Sequence, residues 1–254
     1  MQSPQLTIAI QCHNFPRRLF WMLSSLAQQT KPGLVRVDVA CMPGNGRPTT
    51  EEVVALFAGR IDIKPTVMSD FAEFQLRGLV RNRQLATCQT EWLMFGDSDM
   101  VYCPEYFERL VAELESKHAR ATYLLSTGRM SNLKDDAEKM VCEYVKDESR
   151  IVPEPFALAQ RLLPRRMRNC GAGFSQIINM RHCPHGGYYV TPDENRDWDW
   201  TKRGSNPKSD MQFRRRVAER GGRRVALPEW FTAGAIHLNH DRDPEAGKHL
   251  DTQR

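Results

Sequence analysis

A chain of 254 residues with 41% hydrophobic and 26% charged residues has the make-up of a globular protein, which excludes fibrous and low-complexity classes. Seven cysteines (12, 41, 88, 103, 142, 170 and 183) form an odd set without a Cys-x-x-Cys pair, so neither a zinc cluster nor a disulfide framework is expected. The formal charge of +5 is uneven: residues 161 to 224 hold 15 Lys/Arg against 6 Asp/Glu, a net +9, which leaves −4 for the rest.

In chain order, Leu6 to Gln11 reads as a short strand, followed by Phe15-Pro16 and a helical spacing of Leu19, Met22, Leu23 and Leu26. Val35 to Ala40 is the next strand, closed by the breaker-rich Met42-Pro-Gly-Asn-Gly46. Glu51 to Ala58 reads as helix, Ile61 to Val67 as a strand interrupted by Pro65, and Arg77 to Thr87 as a helix that leads into a strand at Trp92. This β-α-β-α-β order predicts an α/β fold with a mostly parallel central sheet and right-handed crossovers. Further on, Pro104 to Lys117 has an amphipathic helical period and Ala121 to Ser126 returns as a strand. Asp135 to Gln160 is charged and helical in pattern, broken by Pro153 and Pro155. Residues 161 to 206, rich in Gly, Pro, Arg and aromatic residues, read as a loop-heavy substrate region. The expectation is one domain over 1–254, with a nucleotide-binding half (1–110) and an acceptor and catalytic half (111–254).

The strand at Trp92-Leu-Met-Phe95 is apolar throughout and ends abruptly at Asp97 and Asp99. Strands buried on both faces carry their polar chemistry at the carboxyl end, where open α/β sheets bind ligands. Carboxylates one residue apart suit Mg²⁺ or Mn²⁺, which are commonly held by one or two carboxylates plus substrate phosphates. An isolated Asp-Ser-Asp is also what an ordinary turn looks like. Its neighbours in the chain decide between the two.

The order Ile8-Ala-Ile-Gln-Cys-His-Asn14, Arg81-Asn82-Arg-Gln-Leu85 and Trp92-Leu-Met-Phe-Gly-Asp-Ser-Asp99 resembles the nucleotide-binding half of the GT-A glycosyltransferases, family 2 in particular. The resemblance covers about the first 110 residues well and the remainder through scattered motifs. It implies a GT-A fold (a Rossmann-like, mostly parallel central sheet flanked by helices) and a nucleotide-sugar donor, a UDP-sugar foremost. A Mn²⁺ or Mg²⁺ ion would bridge the donor's diphosphate to the protein. Asp99 would be the direct ligand, Asp97 would lie nearer the ribose or a metal-bound water, and Asn14 and Arg81 would line the nucleotide. Where relatives carry an acidic residue after the second strand, this chain has Cys41-Met-Pro-Gly-Asn45, which leaves the base open; Asp62 and Asp70 are substitutes.

Ser209-Asp-Met-Gln-Phe-Arg-Arg-Arg216 resembles the segment that contributes the catalytic base in inverting relatives, with Asp210 in register and Ser209 in place of the usual Glu. A carboxylate there would take the proton of an acceptor hydroxyl. The same two residues also fit a helix start, Ser209 as N-cap and Asp210 in the first turn. Ala235-Ile-His-Leu-Asn-His240-Asp-Arg-Asp resembles the segment that places a histidine as a further metal ligand; the resemblance favours His240, with His237 in reserve. Asn169-Cys-Gly-Ala-Gly-Phe-Ser175 and Asp197-Trp-Asp-Trp200 supply Gly173 and Trp198 for the donor-sugar and acceptor pocket, since glycine permits close approach and Trp stacks on a sugar ring.

The resulting expectation is a metal-dependent, inverting glycosyltransferase acting on a glycan, a lipid-linked or another phosphate-bearing acceptor. Three alternatives stand beside it: a glycosyltransferase acting on modified bases of DNA or RNA, a nucleotidyltransferase of similar fold, and a non-catalytic nucleic-acid-binding domain. The nucleotidyltransferase would need a Gly-rich phosphate loop after the first strand, where Gln11-Cys-His-Asn-Phe15 has none. The binding domain would not explain carboxylates that repel phosphate in the absence of a metal. No run of eighteen apolar residues occurs and no signal peptide is visible, so a cytoplasmic protein is expected, with peripheral docking at a membrane left open.

Overall fold

The computed structural model of the chain describes residues 3–12, 16–43, 48–126, 131–133, 151–163, 176–183, 187 and 209–238. Four strands of its first half, β1 (Leu6–Cys12), β2 (Val35–Cys41), β3 (Asp62–Val67) and β4 (Trp92–Gly96), lie parallel in the order β3-β2-β1-β4. Their connections are helical: α1 (Pro16–Ala27), α2 (Thr50–Phe57), and the pair α3 (Phe71–Gln75) and α4 (Arg77–Thr87). β1 is buried along nearly its whole length because both its faces are covered. Leu6, Ile8, Ile10 and Cys12 pack into a core with α1 and α2, while Ala9 joins Leu85 of α4 and Leu93 and Phe95 of β4 on the other face. That is why the strand reads as a continuous apolar run.

Local chemistry sets the element boundaries. α2 starts with a reciprocal capping box, in which Thr49 Oγ1 accepts from the Glu52 amide and the Glu52 carboxylate accepts from the Thr49 amide. Asp70 caps α3 by accepting from the Glu73 amide. Pro65 does not interrupt β3: it sits in register with Val39, and β3 is an edge strand, where a missing amide donor is tolerated.

The second half adds β5 (Met100–Tyr102), α5 (Tyr106–Lys117), β6 (Tyr123–Ser126), β7 (Ser131–Leu133), α6 (Pro155–Arg161), β8 (Gln176–Asn179), α7 (Ser209–Glu219), β9 (Arg224–Leu227), α8 (Trp230–Ala233) and β10 (Ala235–Leu238). Pro155, expected to break a helix, instead begins α6, since proline at the first helical position loses no intrahelical hydrogen bond. Among the described residues the main sheet has seven strands in the order β3-β2-β1-β4-β8-β6-β9. β8 runs antiparallel to both its neighbours and the others are parallel, so the mostly parallel α/β expectation holds. A second sheet, β5-β10-β7, sets β10 antiparallel to β5.

Candidate active site at the carboxyl edge of the sheet

The chain enters β1, leaves for β2 and β3 on one side, and returns to place β4 on the other side of β1. The carboxyl ends of β1 and β4 therefore diverge, and a crevice opens between them. A pocket of ≈ 100 Å³ lies there, lined by Ala9 and Gln11 of β1, Gly96 and Asp97 at the end of β4, Gln75, and Arg77, Arg81 and Gln84 of α4. Its cationic and amide wall comes from one helix face. Arg77, Arg81 and Gln84 are spaced by four and three residues and so share a face. That face is turned inward: Arg81 and Gln84 are buried. Gln84 Nε2 donates to the carbonyls of Ile10 and Asp38, and the Arg81 guanidinium lies 4.9 Å from the Phe95 ring centroid. Gln11 is oriented by donating from Nε2 to the Phe74 carbonyl.

Asp97 and Asp99 stand on the turn between β4 and β5. Asp99 is 6% exposed, and β10 holds it twice. The Leu238 amide donates to the Asp99 carbonyl at 2.8 Å, and His237 Nε2 donates to Asp99 Oδ2 at 3.1 Å. His237 reaches that carboxylate because it pairs with Met100 across the β5–β10 ladder, one residue beyond Asp99.

Two carboxylates so placed are electrostatically uncomfortable. Burial raises the Asp97 pKa above the usual carboxylate value and Asp99 raises it further, against the opposing charges of Arg77, Arg81 and His237. Burial by itself would lower the His237 pKa, but its hydrogen bond to Asp99 and the charges of Asp99 and Asp97 outweigh this and raise it, with Arg18 opposing. The site thus gathers anionic groups and answers them with cations from α1, α4 and β10. A divalent cation would relieve the same repulsion. The two carboxylates suit Mn²⁺ or Mg²⁺. The described residues hold no cluster of three such side chains already closed around an ion position.

Of the residues singled out in the sequence, Arg81, Asp97 and Asp99 are brought together with His237, the reserve histidine. Asn14, Gly173, Trp198 and His240 lie outside the described residues. Asp210 is on the first turn of α7. Asp62 is removed from consideration as a base-reading substitute: it starts β3 at the amino end of the sheet and pairs with Arg36 at 2.8 Å. Asp70 stays at the carboxyl side but is engaged as the α3 cap. Sequence reasoning missed Arg18, Arg77, Gln11 and Gln84. For Arg77 and Gln84 a signal existed in their shared helical face with Arg81; for Arg18 and Gln11 only the folded arrangement reveals the proximity.

No protein-family model and no curated protein matches the chain. Solved structures do resemble it. TarS 1–349 of S. aureus in complex with UDP-GlcNAc aligns with a TM-score of 0.58 at 14% identity, over 95% of this chain and 60% of that one. The mannosyltransferase PcManGT from Pyrobaculum calidifontis, in complex with GDP-Man and Mn²⁺, aligns with a TM-score of 0.57 at 12% identity, over 100% of this chain and 62% of that one. TarS 1–349 by itself gives 0.54 at 15% identity, over 88% and 58%. The chain thus spans about three-fifths of the length of these structures. At such identities the likeness is one of fold, and the fold is that of the GT-A glycosyltransferases.

Proposed function

We propose that the protein is a metal-dependent, inverting glycosyltransferase that moves a sugar from a nucleotide-sugar, a UDP-sugar foremost, to an acceptor hydroxyl. The observation that carries this reading is the carboxylate pair Asp97 and Asp99 at the crevice between β1 and β4, with His237 hydrogen-bonded to Asp99 and Arg81 beside Asp97. Two structures of the same fold were determined with UDP-GlcNAc and with GDP-Man and Mn²⁺, which supports a nucleotide-sugar as the class of donor.

In this reading Asp99 and a histidine, His237 or His240, hold Mn²⁺ or Mg²⁺, and Asp97 orients the ribose or a metal-bound water. The ion, when bound, supplies charge neutralisation for the departing diphosphate. Arg77 and Arg81 add positive potential on the nucleotide side of the crevice, and Asn14, Gly173 and Trp198 complete the donor and sugar contacts. Asp210 accepts the proton of the acceptor hydroxyl as its oxygen attacks the anomeric carbon. Residues 1–110 and 111–254 act as the donor and acceptor halves of one unit.

A thermal-shift panel of UDP-, GDP-, ADP- and CDP-sugars with and without Mn²⁺ tests the reading, because a ligand that binds only the folded state raises apparent stability. The expected outcome is a shift with one nucleotide class that requires the metal. No shift with any nucleotide in the presence of Mn²⁺ would sink it.

A further inference from the structure

Part of the basic segment of the sequence lies at the amino edge of the seven-stranded sheet. α7 runs back against the strands. It delivers its last turn to Gly221 and Gly222, which precede β9, so Arg220, Arg223 and Arg224 fall at the amino edge, opposite Asp97. There they meet the start of β6 and the exit of β8. The Arg223 carbonyl accepts from Thr122 Oγ1 at 2.7 Å and from the Tyr123 amide at 3.3 Å. The Thr122 carbonyl accepts from the Asn179 amide, Asn179 Nδ2 donates to the Ala119 carbonyl, and Asn179 Oδ1 accepts from the Arg181 amide. These bonds stitch Arg120, Arg181, Arg220, Arg223 and Arg224 onto one end of the sheet, and all five are exposed. Arg181 pairs with Glu91 at 3.1 Å; the other four have no carboxylate partner among the described residues.

Five guanidinium groups on a backbone frame held by hydrogen bonds are more than a fold needs, and ordering like charges together is unfavourable unless an anion meets them. Guanidinium groups match phosphate oxygens in geometry as well as in sign. Ala119, Gly221 and Gly222 neighbour these arginines in the chain, and among the described residues no exposed Trp, Tyr or Phe stands with them to stack on a base. No helix among the described residues is long and apolar enough to cross a membrane. We propose that this amino edge is a docking surface for an anionic phospholipid bilayer, contacted through headgroup phosphates. Docked in this way, the protein turns Asp97 and Asp99 away from the bilayer, toward acceptor groups that stand off from the membrane or arrive from solution. The proposal does not depend on the transferase reading.

Co-sedimentation with phosphatidylcholine vesicles, with and without roughly one-third phosphatidylserine, tests it. The full chain is expected to sediment with the anionic vesicles and not with the neutral ones, and added salt should release it. Each of Arg120→Gln, Arg223→Gln and Arg224→Gln should lower the vesicle partition coefficient about fivefold, with the effects combining. These side chains are exposed, so circular dichroism should report an unchanged fold; the salt titration of the unsubstituted protein tests the proposal without any variant. Equal sedimentation with neutral vesicles, none with anionic ones, or unchanged partition of the triple variant would overturn the proposal. Retention of duplex DNA without vesicle binding would overturn it in favour of a nucleic-acid surface.

Discussion

Asp99 and Asp38 are both buried aspartates, and their neighbours give them different parts. Asp99 is flanked by a second carboxylate and tied to an imidazole, an arrangement that invites a cation. Asp99→Ala is expected to abolish sugar transfer and the Mn²⁺-dependent thermal shift while leaving the far-ultraviolet spectrum unchanged. Full activity of that variant in EDTA would rule out the metal role. Asp38 lies in the interior of β2, where it accepts from Thr66 Oγ1. Burial raises its pKa above the usual carboxylate value, against the Thr66 hydrogen bond and the Lys64 charge. Raised in the folded state, an acid costs nothing while both states are protonated, and it destabilises the fold as pH climbs from the unfolded value through the folded one. Asp38→Asn should therefore raise Tm at neutral pH, and the gain should shrink and vanish as pH falls below about 4. A gain that does not change with pH would show that the ionisation of Asp38 is not its source.

At the scale of elements, a glycine stands between α4 and α7. Gly187 has φ +79°, and a Cβ there would come 2.9 Å from Asn82 Oδ1. Its carbonyl accepts from Arg216 Nη1 at 3.2 Å. α4 carries Arg81 and α7 carries Asp210, so this glycine lies between the two helices on which the proposed function draws. Gly187→Ala is expected to cost about 1–3 kcal/mol of stability for the left-handed backbone, with a further loss from the clash with Asn82. Gly221→Ala supplies the control: φ is +80° there and nothing lies within 4 Å of the added methyl. Denaturant titrations of the two variants should differ, with Gly187→Ala the less stable. Equal destabilisation would mean that Asn82 moves aside freely.

Viewed as a whole, the molecule carries Asp97 at one edge of the sheet and Arg223 and Arg224 at the other, and the strand directions separate them. Eleven residues of helix rise about 16 Å, enough to run the depth of the sheet. α7 leads into β9 at the amino edge, and Asp210 lies in its first turn. Asp210→Asn keeps the shape and removes the base, so turnover should fall by about 10² or more while donor binding, read by thermal shift, survives. A product with the same anomeric configuration as the donor would show that Asp210 does not act in a single inverting step. The sequence by itself determined the α/β class and the edges of most early elements, because apolar runs, helical spacing, proline and capping residues act over a few neighbours. β4 and α4 were legible almost residue by residue, and Asp97 and Asp99 were legible as the point where an apolar strand stops. Only the tertiary structure decided that β8 runs antiparallel, that β10 brings His237 to Asp99, that Asp62 faces the wrong edge, and that Arg223 and Arg224 lie far from the crevice. Those facts depend on pairing and register between segments that are separate in the chain, as with Met100 and His237, and local periodicity carries no record of which strand lies beside which.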